Sequence, residues 1–430
     1  MPETNASPQT LTFVLAGGKG ERLSPLTNKL AKPAVSFLGV YRIIDFTLSN
    51  CVNSGIDRAY VLTQYRRTSL HKYLASRYSD VAIMKPPVAP RRYRGTADAV
   101  YQNLALVKEC RPEHVLVLSA DHIYSMDYRP LLRLHRESGA DATIVATEFP
   151  RRSGDRFGIL RIDEDRRVLK FEEKPQHPTV IPGKPDTCLV NMGVYVFKTS
   201  ALMRALLRDA IDPDSSHDFG KNILPGLIDT HVVCAHVVDS SPHDAPAYWR
   251  DVGTLDAYYD SQMELLTSNA PRAPYESDCW PIRSCCDGEA RVLGNHGYVL
   301  GVLNALVCPR AAVRGFAVHS VVGPDVLIEP MAEVQDSVLM RGVRVGQGAR
   351  LCRTIVEEDV QIPQNLEIGY DPAQDRRSFH VTPSGVVVVA RGSRFPGNFG
   401  PRRPERTHVP KQVWDRIWPN ISLKLSDRKP

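Results

Sequence analysis

The spacing of apolar residues divides the chain into two periodic zones separated and followed by aperiodic ones. From residue 10 to about 265, short β-rich apolar runs alternate with stretches of helical period. The runs 11–15, 60–63, 115–118, 143–146 and 194–197 predict buried strands, and 96–108 and 129–138 predict helices between them. That alternation predicts an α/β layered domain with a mainly parallel sheet, in which ligands bind beyond the carboxyl ends of the strands. Range 301–370 has a shorter beat. Val307, Val313, Val326, Val338, Val343, Ala349, Ile355 and Val360 recur about every five or six positions, with Gly and Asp in many of the turns. A period of six suits the coils of a parallel β-helix, and a β-sandwich is the other reading of such short strands.

The expected organisation is an N-terminal tail at 1–9, an α/β domain at 10–268, a linker at 269–300, a β-helix domain at 301–390 and a tail at 391–430. The linker begins as a Pro- and Cys-rich stretch without periodicity. In the tail, Trp414, Ile417 and Trp418 make a short apolar stripe at helical spacing, against the plainer reading of a solvated segment.

Composition narrows the class. No stretch approaches eighteen apolar residues, and the first ten residues lack a basic segment followed by an apolar one, so neither membrane span nor signal peptide is expected and the cytoplasm is the expected location. The nine cysteines include no C-x-x-C pair, which argues against zinc and for reduced thiols packed as small apolar groups. The net charge of +6 belongs to the tail: ten Lys and Arg against three acids from 391 to 430 give +7 there and −1 elsewhere. Without an aromatic-interleaved basic patch, a nucleic-acid partner is not expected.

The densest chemistry lies at 14–35, VLAGGKGERLSPLTNKLAKPAV. A predicted strand runs into Gly17, Gly18 and Gly20, then Arg22, then Lys32. Glycines let backbone N–H groups approach an anion, and a guanidinium and an ammonium beside them neutralise phosphate charge. The segment therefore reads as a triphosphate cradle. It is not a P-loop, because Lys19 precedes Gly20 instead of Ser or Thr. It is not a dinucleotide fingerprint either, because Leu23 occupies the third small position.

This run resembles the signature of the sugar-nucleotide pyrophosphorylases. Seven further blocks in chain order are similar to the bacterial ADP-glucose pyrophosphorylases: RIIDF at 42–46, LSNC at 48–51, YRGTADA at 93–99, DHIY at 121–124, EKP at 173–175, SSHDFGK at 215–221 and YWRDVGT at 248–254. The resemblance implies a Rossmann-like nucleotidyltransferase domain followed by a left-handed parallel β-helix. It also implies transfer of the adenylyl group of ATP to glucose 1-phosphate with release of pyrophosphate, in glycogen synthesis, by a homotetramer using Mg²⁺. Asp121 and Asp251 match the metal-binding acids, and Arg22 and Lys32 the phosphate-contacting cations. Gly17, Gly18, Gly20, Gln64, Gly95 and Thr96 match the nucleotide site. Tyr93, Gly158, Glu173, Lys174 and Tyr195 match the glucose 1-phosphate site, with Asn191 where relatives usually carry Ser.

The family binds anionic metabolite effectors, and Lys29 and Arg42 match such contacts. Leu30, Ser36, Glu109 and Arg92 stand where enteric-type members carry Arg, His, a basic residue and Trp. Activation by a sugar phosphate with weak inhibition by a nucleoside monophosphate is therefore expected. Two other readings stay open at this level: a pyrophosphorylase using UTP or dTTP, and a non-catalytic regulatory subunit.

Overall fold

The computed structural model describes residues 10–56, 58–78, 82–84, 92–238, 248–266, 280–283, 291–293 and 301–395. The N-terminal tail, most of the linker and the tail beyond 395, with its Trp414, Ile417 and Trp418 stripe, lie outside the described residues. The six described cysteines are all free.

A nine-stranded sheet forms the first layer system. Its central strands are Thr10–Ala16, Arg58–Thr63 and His114–Ser119, mostly apolar and buried because helices cover both faces of the sheet. Thr10–Ala16 pairs in parallel with both neighbours, Leu15 lying opposite Leu62 on one side and Ser119 on the other. The parallel arrangement expected from the alternation holds through this half, which carries the glycine loop. Beyond it the twelve-residue strand Thr187–Lys198 runs antiparallel to His114–Ser119, Ala142–Pro150 and Gly158–Ile162. That side of the sheet is therefore mostly antiparallel, with one parallel pair where Val233–Val238 lies beside Ala142–Pro150. The predicted helix at 96–108 is two helices, Thr96–Tyr101 and Leu104–Cys110, broken at Gln102 and Asn103. The Asn103 side chain bonds back to the Ala99 carbonyl at 2.8 Å, a local contact that competes with a continuous helix.

Residues 302–368 wind into a parallel β-helix whose short strands stack as three sheets. Of the predicted periodic positions, Val326, Val338, Val343, Ala349, Ile355 and Val360 are buried, while Val307 and Val313 in the first coil are half-buried. Three sides per coil and a repeat of 17 residues give a period just under six. The buried column Ser320, Ser337 and Thr354 marks that repeat, the backbone N–H of each of the later two donating to the hydroxyl one coil earlier at 3.0 and 3.1 Å. A β-sandwich is thereby excluded for this segment.

The β-helix packs against the α/β domain through one mixed apolar cluster that joins Phe37, Leu38, Tyr258 and Met263 to Leu306, Val321, Val338 and Ile355. The contact is close: a side chain at Gly39 would begin 2.5 Å from Cys308 Sγ.

Candidate active site

The loop after the first strand and the loop after His114–Ser119 emerge side by side, tied by the Ala120 N–H donating to the Leu15 carbonyl at 3.1 Å. A cavity of about 680 Å³ opens there. Of the residues expected from sequence, Gly17, Gly18, Gly20, Arg22, Lys32, Gln64, Tyr93, Gly95, Thr96 and Asp121 line it. Lys19, Tyr65, Ser119, Asp218 and Gly253 also line it and were not anticipated as site residues.

Two short helical turns aim the cations. Gly20 adopts a left-handed conformation with φ 67°, its carbonyl accepts from the Leu23 N–H, and a 3₁₀ turn at Glu21–Leu23 carries Arg22. A second 3₁₀ turn, Lys32–Ala34, carries Lys32, whose side chain is only 7% exposed. Its ammonium lies 3.1 Å from Asp121 Oδ2 and 3.6 Å from Asp251 Oδ1.

The two acids meet because a small antiparallel ribbon pairs His122–Tyr124 with Trp249–Asp251, placing Asp251 opposite His122. His122 Nε2 sits 3.6 Å from Asp121 Oδ1 and 3.9 Å from Asp251 Oδ1. Burial by itself would raise the Asp121 carboxyl. The Lys32 ammonium and the His122 ring outweigh it and hold the group well below the usual carboxylate range. A side chain at Gly253 would start 2.9 Å from both Asp251 carboxylate oxygens and 3.1 Å from an Arg22 guanidinium nitrogen, so Arg22 and Asp251 face each other across that glycine. Among the described residues no cluster of three or more acid, His or Cys ligands is present. Two hard carboxylates beside a phosphate cradle are the donor set of a cation that takes its remaining ligands from phosphate and water, which is how Mg²⁺ binds.

A second group lies beside the cavity. Glu173 pairs across the sheet with Gly158, and its Oε1 is 2.7 Å from the Lys174 ammonium. Asn191 and Tyr195 are on one strand around a register shift that lets their side chains meet. The Asn191 amide donates to the Tyr195 hydroxyl at 2.7 Å and its carbonyl oxygen accepts the Gly193 N–H at 2.9 Å. Burial pushes the Tyr195 phenol up, so it stays protonated, and its ring stacks on Phe219 at 5.7 Å.

Gln64 also holds the loop that borders the cavity. It lines the cavity, but its amide bonds to both the N–H and the carbonyl of Tyr93. It braces the Tyr93 loop in this state, and its base-reading edge is engaged. The Tyr93 hydroxyl in turn accepts from Asn103 at 3.3 Å.

Arg42 pairs across a two-stranded ribbon with Ser36, a residue of the cleft that Lys29 lines. Lys29 lines a small cleft between the domains with Leu30, Ser36, Glu357, Glu358 and Arg391. Arg391 is held there by Glu358 and Asp359, and the Glu357 carboxyl is raised by burial. The Arg42 guanidinium instead stacks on Tyr73 at 4.6 Å and donates to the Ala34 carbonyl, next to the Lys32 turn. Asp45, fully buried, accepts from the Arg42 N–H and the Tyr73 and Tyr78 hydroxyls.

Similarity to known proteins agrees with this geometry. Residues 11–268 match the nucleotidyl transferase family and residues 290–389 the GlmU-like C-terminal hexapeptide family. Glucose-1-phosphate adenylyltransferase of Rhodopirellula baltica is 42% identical over 403 residues, covering 89% of this chain and 90% of the relative. That of Koribacter versatilis is 42% identical over 400 residues, covering 89% and 95%. Glucose-1-phosphate adenylyltransferase 2 of Vibrio cholerae is 41% identical over 406 residues, covering 90% and 98%. With the glycine loop, the paired carboxylates and the hexapeptide domain in one collinear chain, this protein belongs to the nucleotidyl transferase family, among the glucose-1-phosphate adenylyltransferases.

Proposed function

We propose that the protein transfers the adenylyl group of ATP to α-D-glucose 1-phosphate, giving ADP-glucose and pyrophosphate, and so supplies the glucosyl donor for α-1,4-glucan synthesis. The observation that carries this reading is the Lys32 ammonium set between Asp121 and Asp251 at the mouth of the glycine loop. A sugar phosphate oxygen attacks the α-phosphorus, the new P–O bond forms, and the bond to the β-phosphate oxygen breaks with pyrophosphate leaving in line. The work is positioning and charge neutralisation, with no covalent enzyme intermediate.

Gly17, Gly18 and Gly20 offer close approach to the triphosphate, and Arg22 and Lys32 balance the charge of the departing pyrophosphate. Lys174 grips the sugar phosphate, while Glu173 and Tyr195 bond sugar hydroxyls. Gly158, Tyr93 and Asn191 shape that side, and Gly95 and Thr96 shape the nucleotide side. Asp121 and Asp251 would hold Mg²⁺, which supplies further neutralisation of phosphate charge when bound. Gln64 supports base recognition through the Tyr93 loop.

Lys29 in the interdomain cleft and Arg42 on the Lys32 turn are the cations assigned to a small anionic effector, which would have to compete with Glu357 and Glu358 there. The assembly is a homotetramer by analogy with the bacterial ADP-glucose pyrophosphorylases that the chain resembles. The test is pyrophosphate release with ATP, UTP, dTTP, CTP and GTP, each with and without sugar 1-phosphates. ATP with glucose 1-phosphate is expected to give the highest kcat/KM. A preference for UTP or dTTP, or no turnover with any pair, would overturn the reading. Among the described residues no helix is long and apolar enough to cross a membrane.

A further inference from the structure

The segment 215–221 contacts both halves of the site, and the chain turns at His217. His217 has φ 53°, a left-handed conformation that turns its carbonyl toward the helix Thr96–Tyr101. That helix has no side-chain cap at Gly95, and the His217 carbonyl substitutes for one, accepting from Ala97 N–H at 2.8 Å and Asp98 N–H at 3.4 Å. The fit leaves no room for a side chain at position 95, where a Cβ would lie 2.2 Å from the same carbonyl oxygen.

The imidazole is buried. Its Nδ1 is 2.8 Å from Asp209 Oδ2 at the end of the helix Thr199–Ala210. Asp209 Oδ1 accepts from the Ser215 hydroxyl, whose oxygen accepts the His217 N–H at 2.9 Å. These bonds fix the backbone of a residue that otherwise disfavours positive φ.

The residues after His217 reach both ways. The Thr96 hydroxyl donates to Asp218 Oδ2 at 3.0 Å and accepts the Phe219 N–H at 3.0 Å. Phe219 stacks on Tyr195, and a side chain at Gly220 would meet Glu173 Oε2 at 2.7 Å. Gly95 and Thr96 lie on the nucleotide side, Glu173 and Tyr195 on the sugar side.

We propose that His217 is a positioning residue whose Asp209-anchored, left-handed backbone couples the nucleotide and sugar phosphate half-sites, so that filling one tightens the other. The inference rests on the proposed reaction. Coupling of this kind is reciprocal between the two ligands, and a factor of about five or more is expected.

The test uses the full chain with α,β-methylene-ATP, in which the scissile bond cannot break. Its affinity is measured by calorimetry with and without glucose 1-phosphate, in the parent, His217→Ala, His217→Asn and Asp209→Ala. In the parent, glucose 1-phosphate should tighten analogue binding. In His217→Ala and Asp209→Ala the factor should fall toward one and both KM values should rise together, with circular dichroism unchanged. His217→Asn should recover part of the factor, because Asn tolerates positive φ and its amide can donate to Asp209.

No coupling in the parent, or an unchanged factor in folded His217→Ala and Asp209→Ala, would overturn the proposal. If His217→Ala does not fold, the Asp209→Ala and His217→Asn results decide in the same way. Absence of turnover with ATP and glucose 1-phosphate would instead sink the proposed reaction, which separates the two failures.

Discussion

Replacing Gly20 and Gly18 separately by alanine distinguishes a glycine needed by the fold from one needed by the ligand. Gly20 sits at φ 67° and ψ 33°, where an L-residue costs about 1–2 kcal/mol. A methyl there would also lie 2.8 Å from Lys32 Cβ and 3.0 Å from Thr27 Cγ2, both close to backbone and unable to swing aside freely. Relieving that overlap costs a further ~1–3 kcal/mol, so Gly20→Ala should lose roughly 2–5 kcal/mol of stability. Because the push falls on the stem of Lys32, the ammonium moves relative to Asp121 and Asp251, and a displacement of about 1 Å is worth about a hundredfold in kcat. Gly18 has nothing within 4 Å of its would-be Cβ and no positive φ. Gly18→Ala should therefore leave stability within about 0.5 kcal/mol of the parent, the usual range for an unstrained surface change. It should raise the KM for ATP, because the methyl projects into the space the triphosphate needs. Denaturant unfolding and pyrophosphate-release kinetics on the two variants measure both quantities. Equal stability loss in the two variants, or an unperturbed kcat in Gly20→Ala, would refute this account of the loop.

Asp121→Asn should keep the fold but lower turnover by several orders of magnitude, since an amide cannot hold a divalent cation as a carboxylate does; turnover within tenfold of the parent would remove Asp121 from that role. Lys174→Ala should raise the KM for glucose 1-phosphate far more than that for ATP, and equal effects on both would mean the lysine does not mark the sugar side. Asp45 tests the linkage between burial and pH. Burial, opposed by hydrogen bonds from Tyr73, Arg42 and Tyr78, raises its carboxyl to about 6, above the unfolded value near 4. The unfolded chain therefore releases this proton first, and stability falls as pH rises from about 4 to 6, by roughly 3 kcal/mol. Asp45→Asn cannot ionise, so its stability relative to the parent should improve by up to that amount between pH 4 and 7, and a pH-independent difference in unfolding midpoints would contradict it. Lys29→Ala should abolish activation by a sugar phosphate while leaving basal turnover nearly unchanged, with only weak AMP inhibition in the parent; undiminished activation, or inhibition at micromolar AMP, would count against the cleft as an effector site.

Local features of this chain are legible in the residues themselves. The apolar run ahead of Gly17 reads as a buried strand, and the six-residue beat of Val338, Val343, Ala349 and Ile355 suits a coil that buries one residue per side, though the strand stacking was needed to exclude a β-sandwich. Near-neighbour sterics and side-chain spacing underlie both readings. Arg22 and Lys32 were also readable, because each follows the strand within two short turns. The carboxylate pair was readable only through resemblance, since Asp121 and Asp251 meet through the pairing of His122–Tyr124 with Trp249–Asp251. Tertiary packing alone decided that Lys32 bridges those acids, that the Gln64 amide braces Tyr93, and that Arg42 supports the Lys32 turn. It also decided that the His217 carbonyl caps the helix after Gly95, although the SSHDFGK block was visible as a motif without a role. Side-chain type and local period follow from the residues within a few positions of one another, whereas the partner of a buried polar group depends on which distant segment the sheet register delivers to it.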